Sequence, residues 1–308
     1  MKEATLFIES TFKLEAIHAT PKNKTEQAFL IISGSGPGDL DGNFKSLKMN
    51  MYKDVSDYLV SQGYATLRYN KRGIGKSEGN FSSTGLYDLL EDVSNAVAYL
   101  SERYKKVYLI GHSEGAILAT LYNEKHNVDG MILLNGAGTG LESALNYQQQ
   151  CTLDEIKELK GFKGWLLRLL VKEEKLWKQQ NKFYDSIRKS TKDVVRMQLI
   201  VKINAKWMRE HFEYSDQDVL DMLGKVTKPT LVIGGTKDVQ ANVKDLDTID
   251  SLNNINITTK RIENMTHMLR IHEGKKSMLN LKKQYIGEIK KSLAPKLLEE
   301  MTVWLNNL

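Results

Sequence analysis

The chain has 308 residues, of which 41% are hydrophobic and 27% are charged, and its formal net charge is +6. This balance is typical of a globular protein with a sizeable core and argues against a disordered chain; no apolar segment is long enough to span a membrane. Basic and acidic residues are interspersed, which favours a solvated basic surface over a nucleic-acid partner. Cys151 is the only cysteine, so we expect no internal disulfide and a cytoplasmic location.

Short apolar runs alternate with longer segments of helical periodicity. Residues 6–8 and 14–18 predict an opening β-hairpin. Further strands are predicted at residues 28–33, 65–70, 107–112, 131–135, 230–234 and 257–262. Helices are predicted at residues 44–61, 86–104, 113–122 and 294–305. Strands and helices in alternation imply right-handed crossovers and a mostly parallel central sheet with helices on both faces.

One long segment, residues 140–226, interrupts this alternation. It is predicted to form several consecutive helices and contains Trp165, Trp177 and Trp207, three of the four tryptophans. We interpret it as a helical lid inserted between two parts of one core, residues 1–139 and 227–308. A helical insertion with a small core of its own is the alternative.

The candidate nucleophile is Ser113, in the G-x-S-x-G pentapeptide of residues 111–115. The pentapeptide follows a predicted strand and precedes a predicted helix. A turn this sharp lifts the serine hydroxyl clear of the sheet and requires small residues two positions to either side. A serine that only capped the helix would not need both glycines.

A serine hydroxyl needs a general base to take its proton. His267 follows the last predicted strand, so it lies at the carboxyl edge of the sheet, where catalytic groups gather. His272, five residues later, is the alternative. His112 is expected to point away from the serine, and His211 lies in the predicted lid.

Asp238 is the candidate acid that orients the histidine. It follows the predicted strand 230–234 and therefore reaches the same edge of the sheet. The chain order serine, aspartate, histidine is the one expected for this kind of fold. Asp245 and Asp247 lie on the next helix and are expected to be solvated.

Acyl transfer also needs N–H donors aimed at the developing oxyanion. We assign one donor to the backbone N–H of Glu114, the residue after the nucleophile. The second is assigned to Ser35 in the glycine-rich loop 33–38, with Gly36 as the near alternative. This loop does not match the dinucleotide motif G-x-G-x-x-G, because Asp39 stands where the third glycine is required.

A second glycine-containing stretch, residues 75–77, imitates the end of a phosphate-binding loop. The first glycine of that motif would fall at position 70, which is Asn70. The spacing therefore excludes this nucleotide site as well.

Four segments together resemble the α/β-hydrolase superfamily, and more narrowly bacterial serine esterases. They are S-G-S-G-P at 33–37, R-Y-N-K-R-G at 68–73, G-H-S-E-G at 111–115 and the acid region at 235–240. The resemblance covers the core before residue 140 and after residue 228. One departure is Asn70, where the group has aspartate; we expect altered local hydrogen bonding and unchanged chemistry.

The expected function is hydrolysis of a small-molecule carboxylic ester through a Ser113–His267–Asp238 triad and an acyl-enzyme intermediate. No cofactor, metal or nucleic acid is expected to take part. A peptidase or an acyltransferase could use the same triad. A non-catalytic binding protein of the same fold is a further alternative, because fold alone does not define function.

Overall fold

The computed structural model describes residues 1–45, 47–197 and 201–308. The strands are, in chain order, β1 (Lys2–Ile8), β2 (Leu14–Thr20), β3 (Gln27–Ile32), β4 (Ala65–Tyr69), β5 (Lys106–His112), β6 (Gly130–Leu134), β7 (Val194–Met197), β8 (Val201–Asn204), β9 (Thr230–Gly235) and β10 (Ile257–Ile262). The helices are α1 (Met51–Ser61), α2 (Leu86–Ser101), α3 (Glu114–His126), α4 (Leu141–Glu158), α5 (Gly161–Leu170), α6 (Glu173–Lys189), α7 (Ala205–His211), α8 (Asp216–Gly224), α9 (Asp245–Ser251), α10 (Leu281–Glu288) and α11 (Pro295–Leu305).

Eight strands form one sheet in the order β1-β2-β4-β3-β5-β6-β9-β10. The pairs β1–β2 and β2–β4 are antiparallel, and the five other neighbouring pairs are parallel. The opening hairpin and the mostly parallel sheet are thus confirmed. Because β5, β6, β9 and β10 run in the same direction, the loops that follow them meet at one edge of the sheet.

The core occupies both faces of this sheet, since neighbouring side chains of a strand point to opposite sides. In β3, Leu30 and Ile32 pack in a cluster that includes residues of α2, α3, α8 and α9. The intervening residues, Phe29 and Ile31, pack in a second cluster with residues of α1 and α11. Helices therefore cover both faces, as predicted.

The first helix begins later than the sequence pattern predicts. Residue 44 was expected to start it, but Phe44 pairs with Leu47 in a short antiparallel bridge. Asn50 then takes a left-handed conformation, with φ 49°, and its backbone N–H donates to the side chain of Asn43 at 2.9 Å. The reversal of the chain at Asn50 allows a regular helix only from Met51 onward.

The inserted segment, residues 140–226, is not wholly helical. The antiparallel hairpin β7–β8 lies between α6 and α7, whereas the sequence predicted helices only. Short runs containing Val194, Val195 and Ile203 favour strands because β-branched side chains fit a pleated surface. The segment has a small hydrophobic cluster of its own, whereas α8 packs in the main core.

None of the helices in the described residues combines the length and the apolarity that a membrane crossing requires.

Candidate active site

The candidate nucleophile lies in the turn between β5 and α3. Ser113 has φ 55° and ψ −120°, a conformation that residues other than glycine adopt only where the surrounding structure imposes it. A Cβ atom at Gly111 would overlap the carbonyl oxygen of Gly115, and a Cβ atom at Gly115 would overlap that of Ile32. Both glycines are therefore sterically required, and the strand–turn–helix context predicted for the pentapeptide is present.

An aspartate–histidine pair lies where β9 and β10 end. Nδ1 of His267 is 2.7 Å from Oδ2 of Asp238, and both residues are buried. The other carboxylate oxygen of Asp238 accepts hydrogen bonds from the backbone amides of Gln240, at 2.7 Å, and Ala241, at 3.0 Å. Because several donors hold the carboxylate, its orientation toward the imidazole is fixed, as a histidine base requires.

Ser113 and His267 line the same cavity, of about 120 Å³, together with Ser35. No hydrogen bond joins the serine hydroxyl to the imidazole within the described residues, and such contacts are often long before substrate binds. His272 lies elsewhere: its Nδ1 is 3.5 Å from Oε1 of Glu288 in α10. The structure thus places His267 at the cavity that Ser113 lines, and His272 is not among the residues that line it.

A buried chain of hydrogen bonds runs beneath this cavity. The backbone N–H of Gly34 donates to the hydroxyl of Tyr52 at 2.7 Å, and that hydroxyl lies 3.0 Å from Nδ1 of His112. Nε2 of His112 lies 2.8 Å from the carbonyl oxygen of His267. A carbonyl only accepts, so Nε2 carries the proton and Nδ1 accepts from Tyr52. Burial, with His267 alongside, lowers the pKa of His112 well below its ordinary value.

His112 therefore connects the glycine-rich loop to the loop of the candidate base. From the sequence it was expected only to point away from the serine, with no role of its own. Its position in the pentapeptide was a signal, but the partners Tyr52 and His267 are 60 and 155 residues away.

Asn135 supports the same loop from the end of β6. Its side-chain amide donates to the carbonyl oxygens of Thr266, at 3.0 Å, and His267, at 3.3 Å. Its Oδ1 accepts from the backbone N–H of Gly235 at 2.9 Å. Asn135 was not predicted as a site residue from the sequence, although a polar residue at the carboxyl end of a buried strand is a usable signal.

The candidate oxyanion donors lie at a second cavity, of about 130 Å³, which is lined by Ser35, Ser113 and Glu114. The backbone amides of Ser35 and Glu114 have no acceptor among the described residues, which is the state that a substrate oxygen needs. The backbone N–H of Gly34 already donates to the hydroxyl of Tyr52. Ser35 therefore has the next backbone N–H of this loop that is available to a substrate.

The side chain of Glu114 is the centre of a buried polar network. Its carboxylate lies 2.7 Å from Nζ of Lys71 and 3.2 Å from Nε2 of His211, and it accepts a hydrogen bond from the indole of Trp207. Burial disfavours the charge, but Lys71 and His211 hold the pKa of Glu114 below its ordinary value. Nζ of Lys71 also donates to the carbonyl oxygen of Gly34 at 2.6 Å.

This network joins α7 of the inserted segment to the nucleophile turn and to the loop of Ser35. From the sequence, Trp207 and His211 were placed only in the insertion, and Lys71 had no predicted role. The pairing depends on packing between segments separated by 43 residues or more, so no local pattern could have indicated it.

Asn70, the departure from the esterase pattern, has specific partners. Its Oδ1 accepts from the backbone N–H of Leu40 at 2.6 Å, and its Nδ2 donates to Oε2 of Glu15 at 2.8 Å. An aspartate has no N–H for that second contact. The asparagine therefore fits a neighbouring carboxylate that an aspartate would repel.

Helix α4 of the inserted segment contacts the loop of the candidate acid. The hydroxyl of Tyr147 donates to the carbonyl oxygen of Asp238 at 3.0 Å, and the amide of Gln148 donates to that of Gln240 at 3.1 Å. Beside this contact is a cavity of about 500 Å³, lined by Tyr147 and Cys151 among others. The half-buried thiol of Cys151 thus lies near the acid loop but outside the cavities of Ser113.

The two aspartates of α9 have different environments. Asp247 is exposed and pairs with Arg261 at 2.5 Å, so its expected solvation is confirmed. Asp245 is half-buried, which corrects the expectation for it. Burial, together with the nearby Asp216, raises the pKa of Asp245 to about 6.

The arrangement contains the parts that acyl transfer requires: a hydroxyl on a strained turn, a histidine at the same cavity, an aspartate on that histidine and free amides nearby. Within residues 1–45, 47–197 and 201–308, no group of three histidine, cysteine, aspartate or glutamate side chains is arranged to hold a metal ion.

Comparison with known proteins gives a relative that matches most of this chain. Esterase EstD of Thermotoga maritima is 25% identical over 286 residues, which are 90% of this chain and 61% of EstD. The chain therefore spans about three fifths of the length of that relative.

Two solved structures are similar over most of their length. Est1E from Butyrivibrio proteoclasticus, in its complex with ferulic acid, has a TM-score of 0.58 and 20% identity, covering 93% of this chain and all of Est1E. The Pyrococcus furiosus esterase Pf2001 has a TM-score of 0.60 and 14% identity, covering 99% and 91% of the two chains. Together with the sheet order, this similarity shows that the protein has the α/β-hydrolase fold.

A family match defines the relationship further. Residues 47–274 match the Hydrolase_4 family, described as serine aminopeptidase S33. The match covers well over half of the chain, and it includes the turn of Ser113 and the loops of Asp238 and His267. The protein therefore belongs to the serine aminopeptidase S33 family of α/β-hydrolases.

Proposed function

We propose that the protein is a serine esterase that hydrolyses small carboxylic esters, with Ser113 as nucleophile, His267 as general base and Asp238 as the orienting acid. The observation that carries this proposal is the buried 2.7 Å contact between His267 and Asp238 beside a cavity that Ser113 also lines. The similarity to EstD, to Est1E and to the group with G-H-S-E-G and S-G-S-G-P motifs supports the same activity.

In the first half of the reaction, Nε2 of His267 takes the hydroxyl proton as Oγ of Ser113 attacks the ester carbonyl carbon. The carbonyl oxygen becomes an oxyanion that accepts hydrogen bonds from the amides of Ser35 and Glu114. The imidazolium, stabilised by Asp238, then protonates the alkoxide as the ester C–O bond breaks, and the alcohol leaves.

In the second half, water replaces the alcohol. The neutral imidazole of His267 takes a proton from water, and the resulting hydroxide attacks the acyl carbon. The oxyanion forms again at the same two amides, and its collapse breaks the bond to Ser113. The imidazolium returns its proton to the serine oxygen, so the carboxylic acid is released and the enzyme is restored without a metal or an organic cofactor.

We further propose that residues 140–226 act as a lid. Leu141, Leu145, Trp207 and His211 from this segment line the cavity that contains Ser113 and Glu114. A segment that forms part of the wall of a site can set which acyl or alcohol groups fit and can exclude water. The apolar character of Leu141, Leu145 and Trp207 favours substrates with an uncharged acyl or alcohol group.

Ester cleavage is favoured over the aminopeptidase activity in the family's description. An aminopeptidase needs a free carboxylate to pair with the α-ammonium group of its substrate. Among the described residues, Glu114 is the one carboxylate that lines the two cavities at Ser113. Lys71 already pairs with it at 2.7 Å, so it is not free for an ammonium group.

The location that we propose is the cytoplasm. A chain with one cysteine cannot form an internal disulfide, and proteins of reducing compartments characteristically lack them.

The primary test is labelling with a fluorophosphonate probe, followed by a substrate panel. We expect one label at Ser113 and hydrolysis of short p-nitrophenyl esters, with feruloyl esters as one arm, faster than that of aminoacyl p-nitroanilides. Ser113→Ala should lose both labelling and turnover and keep its circular dichroism spectrum. An unlabelled native protein would support the binding-protein alternative, and faster amide cleavage would support a peptidase.

The role of the base is tested by a matched pair of variants. His267→Gln should abolish turnover, whereas His272→Gln should keep it within about twofold, because His272 contacts α10 instead of the cavity. Asp238→Asn should lower kcat by roughly four orders of magnitude, since asparagine fixes the wrong tautomer. If His272→Gln abolished turnover and His267→Gln kept it, His272 would be assigned as the base.

The oxyanion assignment is tested at one position with two variants. Ser35→Ala keeps the backbone N–H and should retain activity, whereas Ser35→Pro removes it and should lower kcat by about 10²–10³-fold. Equal activity of the two variants, with both folded, would assign the donor to Gly36.

A further inference from the structure

Helix α5 presents its apolar side chains to solvent. Phe162 is 74% exposed, Leu170 is 67% exposed and Trp165 is 54% exposed, and Leu166 and Leu169 are exposed beside them. These positions follow the spacing i, i+3, i+4, i+7, i+8, so they form one continuous stripe along the helix. The usual arrangement, in which the apolar face packs on the core, is reversed here.

The opposite face of α5 fixes the helix to α4. Gly164 is buried, and a Cβ atom there would overlap the carbonyl oxygen of Leu159. The guanidinium of Arg168 donates to three carbonyls at the end of α4, those of Ile156, Lys157 and Leu159, at 3.3, 3.3 and 2.7 Å. The backbone contact and the guanidinium determine which face points outward, so the exposed stripe is a fixed feature of the surface.

The stripe also lies outside the hydrophobic core. Among the side chains that the structure describes, none from α5 belongs to the three hydrophobic clusters, including the small cluster of the inserted segment. A contiguous exposed apolar patch of this kind marks an interaction site in a folded protein.

The chain around this stripe is strongly basic. Residues 160–182 contain seven basic residues and two acidic ones. Among the side chains that the structure describes, the exposed lysines in this range are Lys160, Lys172, Lys175, Lys178 and Lys182. Two copies of the chain that met through α5 would bring these cations together, so the charge disfavours a second copy as the partner.

We propose that α5 is a docking helix for an anionic lipid surface, with Phe162, Trp165, Leu169 and Leu170 inserted at the boundary between headgroups and acyl chains. A helix of 10 residues is about 15 Å long and lies in the plane of the interface instead of crossing it. The flanking lysines then reach acidic headgroups, and each contributes about fivefold to binding. This surface is separate from the proposed catalytic site and does not depend on the reaction.

The test is sedimentation of the full chain with vesicles of phosphatidylcholine alone or of phosphatidylcholine and phosphatidylglycerol in equal parts. We expect binding to the anionic vesicles, at least tenfold weaker binding to the neutral ones, and release at high salt because surface charge is screened. The triple variant W165S/L169S/L170S should lose binding at least tenfold. The control Ile255→Ser, at a residue 96% exposed far from α5 in sequence, should bind like the wild type.

The contribution of the lysines to vesicle binding is tested with a matched pair of double variants. Lys175→Gln/Lys178→Gln should weaken binding to anionic vesicles by about twenty-five-fold, at about fivefold for each lysine. Lys22→Gln/Lys24→Gln, which removes two exposed lysines elsewhere, should leave it unchanged.

Equal losses in both pairs, or wild-type protein that stays in the supernatant with both vesicles, would overturn the proposal. A dimer in analytical ultracentrifugation that the triple variant abolishes, without vesicle binding, would assign the stripe to a second copy. Hydrolysis of a water-soluble ester should be the same in all of these variants.

Discussion

The buried pair of Lys71 and Glu114 allows a double-mutant cycle with a large expected effect. Their side chains are 3% and 4% exposed and lie 2.7 Å apart. Lys71→Met leaves the carboxylate without its main cation, and Glu114→Gln leaves the ammonium group without its anion. Each single change should lower the free energy of unfolding by about 3–5 kcal/mol, because an uncompensated charge stays buried.

The double variant Lys71→Met/Glu114→Gln contains neither orphan charge. It should therefore be more stable than the sum of the two single losses predicts, by about 2–3 kcal/mol. Urea unfolding, followed by circular dichroism, measures the free energy of unfolding of all four proteins. Where the dependence of that free energy on urea concentration has the same slope in each protein, the shift of the unfolding midpoint gives the change in stability. The exposed pair Lys225 and Glu124, 3.1 Å apart, is the control, and Lys225→Met should cost no more than about 1 kcal/mol.

The pH dependence gives an independent check on the same pair. The folded-state pKa of Glu114 is depressed below its ordinary value of 4.5. The stabilisation is thus fully present above pH 4.5 and is lost as the pH falls through the lower, folded-state pKa. The stability difference between wild type and Glu114→Gln should shrink below pH 4.5. Single losses that simply add in the double variant, together with a difference that is constant with pH, would refute the reasoning.

Three further predictions concern stability at other positions. Gly115→Ala should destabilise the fold by about 1–3 kcal/mol and abolish fluorophosphonate labelling, because its Cβ atom overlaps the carbonyl oxygen at the end of β3; a normal melting temperature would contradict this. Asn70→Asp should cost about 1–2 kcal/mol at pH 7, since it places a carboxylate against Glu15, and urea titrations at pH 7 and pH 4 should show the loss fading as the carboxylates protonate. Asp245→Asn should stabilise the protein by about 1 kcal/mol at pH 8, because burial and Asp216 raise the pKa of Asp245 to about 6. A carboxyl group with a raised pKa destabilises the folded state above that pH, so the gain should disappear near pH 4. Thermal melts at both pH values measure the difference.

The sequence predicted the parts of the fold that are encoded locally. Continuous apolar runs indicated the core strands, and the two glycines around Ser113 indicated a sharp turn whose steric need the structure explains. The positions of Asp238 and His267 followed from one topological rule, that the loops after parallel strands meet at one edge.

The remaining features depend on contacts between distant segments. The hairpin β7–β8 lies in a segment dominated by helical periodicity, and the start of α1 depends on the left-handed Asn50. The partners of Glu114, and the hydrogen bonds from Tyr52 through His112 to the loop of His267, are formed only when the sheet and the inserted segment are packed. Sequence periodicity has no information on such pairings.

Cys151 makes the protein convenient for site-specific spectroscopy. Because the chain has one thiol, a fluorophore or a spin label can be attached at a single position without first removing other cysteines. Burial raises the pKa of the thiol, so the coupling calls for a mildly alkaline buffer, in which the thiolate is more populated. A probe there sits on α4, one helical turn from the tyrosine that binds the carbonyl of Asp238. Its signal during turnover would test whether the insertion moves against the acid loop.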